Sequence, residues 1–200
     1  MKFHIAMVLL SIATWSGGLQ GVIDREDVAD KIFPPLAVTT EGPSYLTRMI
    51  LRFSDPDSEI VITTRLDGRR IVESYILDPG VTIEASISQM LQKHPQASFD
   101  QLASGIRVHK TKISVPQEHV ARWFREMSGL IPGKLPSPQI HLDKVPQFDL
   151  WIDANGDFVH YRFYDAPGQQ HTNDPPFAPL ARWMLKLHSE VADFKRDGMR

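Results

Sequence analysis

The chain contains no cysteine. That absence removes disulfide staples, thiolate nucleophiles and cysteine-based zinc sites. It also removes a lipidated cysteine behind an export signal. An excess of one charge is missing too: 22 basic against 24 acidic residues leave a net charge of −2. A general nucleic-acid binder needs a basic stripe that displaces counterions, so nucleic acid is not an expected partner. No apolar run reaches the about 20 residues of a membrane-spanning helix. Gly-x-Ser-x-Gly, Ser-x-x-Lys, His-x-x-x-His, His-Glu-x-x-His and Gly-rich phosphate loops are all absent. Triads are assembled in space, so missing motifs do not exclude an enzyme. They do leave no cofactor and no metal to expect.

What is present begins with a three-part leader. Met1–His4 carries one firm positive charge, on Lys2. Ile5–Thr14 is apolar and uncharged, and Trp15-Ser16-Gly17-Gly18 follows with small residues. Ser16 and Gly18 suit the −3 and −1 positions of a signal peptidase site, with the cut before Leu19. A cut after Gly21 would put the larger Leu19 at −3. Residues 1–18 are therefore read as a cleaved secretory signal peptide, and the protein as secreted or periplasmic, with no membrane span after leader removal. About 180 residues remain, enough to bury a single core by packing alone.

Residues 19–44 form a polar, extended lead-in, broken at Pro34-Pro35 and carrying a short turn of helix over Arg25–Ile32. Strand-like runs follow at Tyr45–Phe53, Glu59–Thr64 and Arg70–Leu77. Asp55-Pro56-Asp57-Ser58 is turn chemistry, and Asp67-Gly68 is a hairpin signal. A two-residue turn there would set Arg65 opposite Arg70, which like charges disfavour. A three-residue loop with a bulge at Gly68 is the competing register. Ile83, Ile87, Met90 and Leu91 share one face of a helix over Ile83–Lys93, which His94-Pro95 ends. Ser98-x-x-Gln101 is a capping-box pattern opening a short helix to Gly105. Ile106–Val115 alternates as a strand. Ser114-x-x-Gln117 offers a second capping box, with Pro116 in the first turn. The helix it opens packs Val120, Trp123, Phe124 and Met127 inward and ends at Gly129. Leu130–Pro146 holds four prolines and is expected as an extended surface loop.

Phe148–Tyr164 is the best-determined element. Asn155-Gly156 at its tip fixes a two-residue turn, so residues whose numbers sum to 311 face each other. One face pairs Phe148 with Phe163, Leu150 with Tyr161 and Ile152 with Val159. The other pairs Asp149 with Arg162, Trp151 with His160 and Asp153 with Phe158. The last helix has Pro179 in its first turn and a stripe of Leu180, Trp183, Met184, Leu187 and Val191. The order predicts one α+β domain over residues 45–197. Its sheet is mostly antiparallel, of about six strands, with three to four helices packed on one side.

Candidate chemistry is sparse. Asp153, Asn155 and Asp157 have calcium-loop spacing, but Phe158 and Tyr164 stand where such a loop needs Gly and Glu. That stretch reads as a hairpin tip. Arg48, Arg52, Arg65, Arg69 and Arg70 have the chemistry to meet a carboxylate or phosphate ligand, but they read first as a solvated sheet face or an edge guarded by charge. His160, His171 and Asp174 lie in or beside the 165–176 loop and are the candidates for acid–base chemistry. Trp151, Phe158 and Tyr164 share the outer face of the hairpin with His160. Exposed, they form an aromatic patch that binds a ligand; covered, they are second-layer core. The leading expectation is an exported, soluble, non-enzymatic binding or interaction domain with an unknown protein or small-molecule ligand. The alternative is a secreted hydrolase with a site in the 160–176 region.

Overall fold

The computed structural model describes residues 25–33, 45–130, 147–154, 157–164 and 178–198, with the backbone alone at 147, 157, 158, 163, 164 and 178. The leader, the Pro-rich stretch over 131–146, the hairpin tip and the loop over 165–177 lie outside the described residues. The elements are α1 Arg25–Ile32, β1 Tyr45–Ser54, β2 Asp57–Arg65, β3 Arg70–Leu77, α2 Ile83–Lys93, α3 Phe99–Ser104, β4 Val108–Ile113, α4 Gln117–Ser128, β5 Gln147–Ala154, β6 Asp157–Tyr164 and α5 Ala178–Asp197. The six strands form one antiparallel sheet in the order β4-β3-β2-β1-β5-β6. The α+β class and the strand count are as the sequence predicts.

Turn chemistry sets the registers. Between β1 and β2 two residues, Asp55 and Pro56, make the turn, so Ser54 faces Asp57 and Arg52 faces Glu59. Between β2 and β3 the three-residue loop is realised. Thr64 faces Arg70, Arg65 pairs by backbone with Arg69, and Gly68 sits at φ +80°. Arg65 and Arg70 thereby avoid facing each other. The β5–β6 register places every predicted pair of the C-terminal hairpin as expected.

One expectation about the layers is corrected: the helices cover both faces, not one. Met49, Leu51, Phe53, Ile60, Ile62, Phe148 and Leu150 point to a first face, covered by Val120, Trp123 and Met127 of α4 and the α5 stripe. Ile50, Val61, Tyr75, Leu77 and Trp151 point to the second, where Val28 and Ala29 of α1, Phe33, and Ile83 and Ile87 of α2 meet them. The reason lies in β1 and β2. Met49-Ile50-Leu51 and Ile60-Val61-Ile62 are unbroken apolar runs, and a strand that is apolar on both faces must be buried on both.

Helix caps follow local chemistry with one exception. Thr82 caps α2 by accepting from Ala85 N. Ser98 and Gln101 close the predicted capping box of α3. Ser114 caps nothing: α4 starts at Gln117 with Pro116 in the cap position and no side-chain cap bond. Strand β4 ends at Ile113, and Ser114 stands two residues ahead of the cap, out of reach of the first-turn N–H groups.

Candidate functional site

A row of polar side chains crosses the second face. Register places Lys110, Tyr75, Glu59, Arg52, Asp149 and Arg162 side by side on successive strands from β4 to β6. Arg52 is the centre of it. Its Nε donates to Glu59 Oε2 at 2.9 Å and its Nη1 to Asp30 of α1. Its guanidinium lies over the rings of Trp151 at 4.8 Å and Phe33 at 5.5 Å, a cation–π sandwich. Arg162 donates to Asp149 at 2.6 Å and to Glu26 of α1. Arg25 of α1 reaches Asp57, whose other oxygen accepts the first N–H of α2, that of Ile83, at 2.7 Å.

The five-arginine cluster therefore divides. Arg65 and Arg69 are exposed and Arg48 is half-buried, but Arg52 is only 3% exposed. The expectation of a solvated row fails at Arg52 because α1 covers it and two carboxylates pair with it. Glu59 is fully buried. Burial pushes its carboxyl up to about 7, against the pull of Arg52 and with a further push from Asp30. Among the described residues, Glu59 Oε1 and Arg52 Nη2 have no hydrogen-bond partner.

The hairpin candidates are placed as follows. Trp151 is buried, 3% exposed, in the second core, with the His160 ring stacked on it at 4.5 Å and 12°. Of the two arrangements open to the aromatic face, the covered one holds at Trp151, because α1, Phe33 and Arg52 roof it. Phe158 faces Asp153 and Tyr164 faces Gln147 in the register; their side chains lie outside the described residues. His160 pairs with Asp149 at 2.9 Å and keeps 32% of its side chain exposed. His171 and Asp174 lie outside the described residues. Sequence reasoning missed Glu59 and Asp30, and set Arg52 on a solvated face. The signal for Glu59 was the length of the Asp55-Pro56 turn, which sets it opposite Arg52.

A second feature is a groove between α2 and α3. It has a volume of about 640 Å³ and is lined by Met90, Lys93, Pro95, Ala97, Gln101 and Ser104, among others. Pro95 makes it, by ending α2 and swinging the chain out before Ser98 restarts it. Gly105 stands beside Met90. A Cβ there would stand 2.5 Å from Met90 Sδ, so only glycine lets the Met90 thioether lie against the backbone. A smaller hollow of about 390 Å³ adjoins it across Ser104, edged by Ile32, Ile106 and Val108. Lys31 and Asp100 pair over that hollow at 3.2 Å. Lys93, at the groove rim, makes no ion pair among the described residues.

Among the described residues, no group of three or more His, Asp or Glu is arranged to hold a metal ion. None of their helices is long and apolar enough to cross a membrane. Comparisons with protein-family models, with curated proteins and with solved structures find no match to this chain.

Proposed function

We propose that the chain is an exported, non-enzymatic binding domain whose ligand lies in the α2–α3 groove. The observation that carries this reading is the groove itself. Its volume falls within the roughly 300–1,000 Å³ of small-molecule sites. Met90, Pro95 and Ala97 give it an apolar surface, and Lys93, His94, Gln96, Gln101 and Ser104 supply polar groups around it. The leader pattern of Met1–Gly18 supports export. The groove takes over the role first assigned to the hairpin, because Trp151 is used by the second core. Lys93, which makes no ion pair among the described residues, stands at the rim and suits an elongated apolar molecule with an anionic end.

Dodecanoate is a fitting probe. Titrated into the isotopically labelled full chain, it should shift amide resonances of residues 90–105 and leave α4 and α5 unmoved. Ser104→Trp should fill the groove and remove the response, and Lys93→Glu should weaken it about tenfold or more by charge reversal. Shifts spread evenly over the chain, or unchanged in Ser104→Trp, would overturn the reading.

The hydrolase reading keeps one supporting observation, an Asp149 carboxylate orienting a part-exposed His160 as a general base requires. Its weakness is that the same Asp149 oxygen also binds Arg162. Loss of ester hydrolysis in His160→Gln, with unchanged stability, is the result it needs.

A further inference from the structure

We propose that α1 is a proton-gated clamp, docked on the sheet while Glu59 is protonated and released as Glu59 ionises. The geometry of docking makes the case. Helix α1 has eight residues, too few to be stable unsupported in water. It is held by Val28 and Ala29, by Phe33 just beyond its end, and by four ion pairs: Arg25–Asp57, Asp30–Arg52 and Glu26–Arg162 to the sheet, and Lys31–Asp100 to α3. Asp30, with Phe33 beyond the helix end, brings it onto Arg52, the partner of Glu59.

Docking changes two things for Glu59. It removes water from the carboxylate, and it brings the Asp30 carboxylate to the same guanidinium. Both favour the neutral acid, and both are among the causes that raise this group to about 7. Linkage is reciprocal. If docking makes Glu59 hold its proton more tightly, the proton makes α1 dock more tightly by the same factor. Above pH 7, Arg52 faces two carboxylates, Glu59 fully buried and Asp30 half exposed. Lifting α1 rehydrates Glu59 and takes Asp30 away, while Arg52 and Glu59 remain paired on neighbouring strands.

The other charges around Glu59 have settled partners or stand further along the row. On its own strand Asp57 is held by Arg25 and by Ile83 N. From β1 come Arg52 and Arg48. From β3 comes Tyr75, which donates to Glu73 at 3.1 Å beneath Lys110 of β4. From α1 come Asp30, Glu26 and Arg25, and from β5 and β6 Asp149, Arg162 and His160. His160 is the control position, since it borders Trp151 and Asp149 in the same row.

Amide hydrogen exchange on the full chain tests this, read as protection factors so that the intrinsic pH dependence cancels. The protection of residues 28–33 should fall at least about tenfold between pH 5.5 and pH 8, while α4 stays constant. In Glu59→Gln the α1 protection should no longer vary with pH, and in His160→Gln the fall should persist. Should Glu59→Gln fold poorly, Asp30→Asn serves. It removes the carboxylate that docking brings in and should shrink the fall. No fall in the natural chain, an equal fall in Glu59→Gln, or its loss in His160→Gln would each overturn the proposal.

Discussion

Glu190 joins the two helices of the first face, and its removal gives a quantitative test of how that face is held. Trp123 of α4 is 1% exposed, and its indole N–H donates to Glu190 Oε2 of α5 at 2.7 Å. The same oxygen accepts from Arg122 Nη2 at 2.5 Å. Lys186 and Glu126 extend the network at 3.3 Å. The ion pairs are part-exposed, so each is worth at most about 1 kcal/mol. The indole differs because it is buried. Without an acceptor it bears a desolvation cost of about 1–3 kcal/mol. Glu190→Leu should therefore destabilise the protein by about 2–3 kcal/mol. Glu190→Gln keeps an oxygen for the indole and should cost about 1 kcal/mol or less. In a Trp123→Phe background there is no N–H to strand, so Glu190→Leu should cost under about 1 kcal/mol. The assay is urea unfolding followed by far-ultraviolet circular dichroism, which does not depend on the tryptophan being replaced. Equal losses for Leu and Gln, or an additive double-mutant cycle, would refute the view that the buried indole makes the contact valuable.

Three further outcomes rest on His188, Glu59 and Gly68. His188 of α5 lies against Phe53 at 4.7 Å, with Ser58 Oγ 3.4 Å from its Nε2, and burial lowers its affinity for a proton. The unfolded chain then binds the proton first, so stability should fall as pH drops below about 6.5. Glu59 works with the opposite sign. Its folded value near 7 lies above the ordinary 4.5, so its share of stability is complete below 4.5 and is lost as pH rises towards 7. Unfolding free energies over pH 4–8 should show His188→Phe lacking the acid loss and Glu59→Gln lacking the neutral one; an unaltered pH profile in either variant contradicts its assignment. Gly68→Ala, at φ +80° with open space around the position, should cost about 1 kcal/mol from backbone strain alone. A neutral result by thermal unfolding would mean the loop relaxes to a two-residue turn.

Where local chemistry decides an element, the sequence was legible. Asn155-Gly156 fixed the β5–β6 register and with it the Asp149–Arg162 ion pair, found at 2.6 Å. The 3.6-residue stripe of α5 is buried as written: Leu180, Trp183, Met184, Leu187 and Val191 are each at most 5% exposed. Local reading failed at Ser114, where a valid capping pattern lost to the end of β4. It failed again over the layers, although Met49-Ile50-Leu51 and Ile60-Val61-Ile62 already stated that both faces needed cover. Strand alternation at the edges, as in β4, drew attention from unbroken runs at the centre.

The candidate site was hidden for a different reason. Helix α1 docks by ion pairs to Arg52, Asp57 and Arg162, which are 22, 32 and 136 residues from their partners. An ion pair leaves no periodicity in the chain. A helix held by charges over a charged row therefore looks like a polar lead-in when read alone. The groove is subtler. Both of its helices, the Pro95 break and the Ser98 cap were readable, but the approach of Met90 to Gly105 was not. An apolar side chain near a glycine, in two helices parted by a proline, is the pattern that would have pointed there. Its physical content is a close approach, so a larger side chain at position 105 should displace the Met90 thioether, and with it part of the groove lining, while leaving the remote α4–α5 face intact.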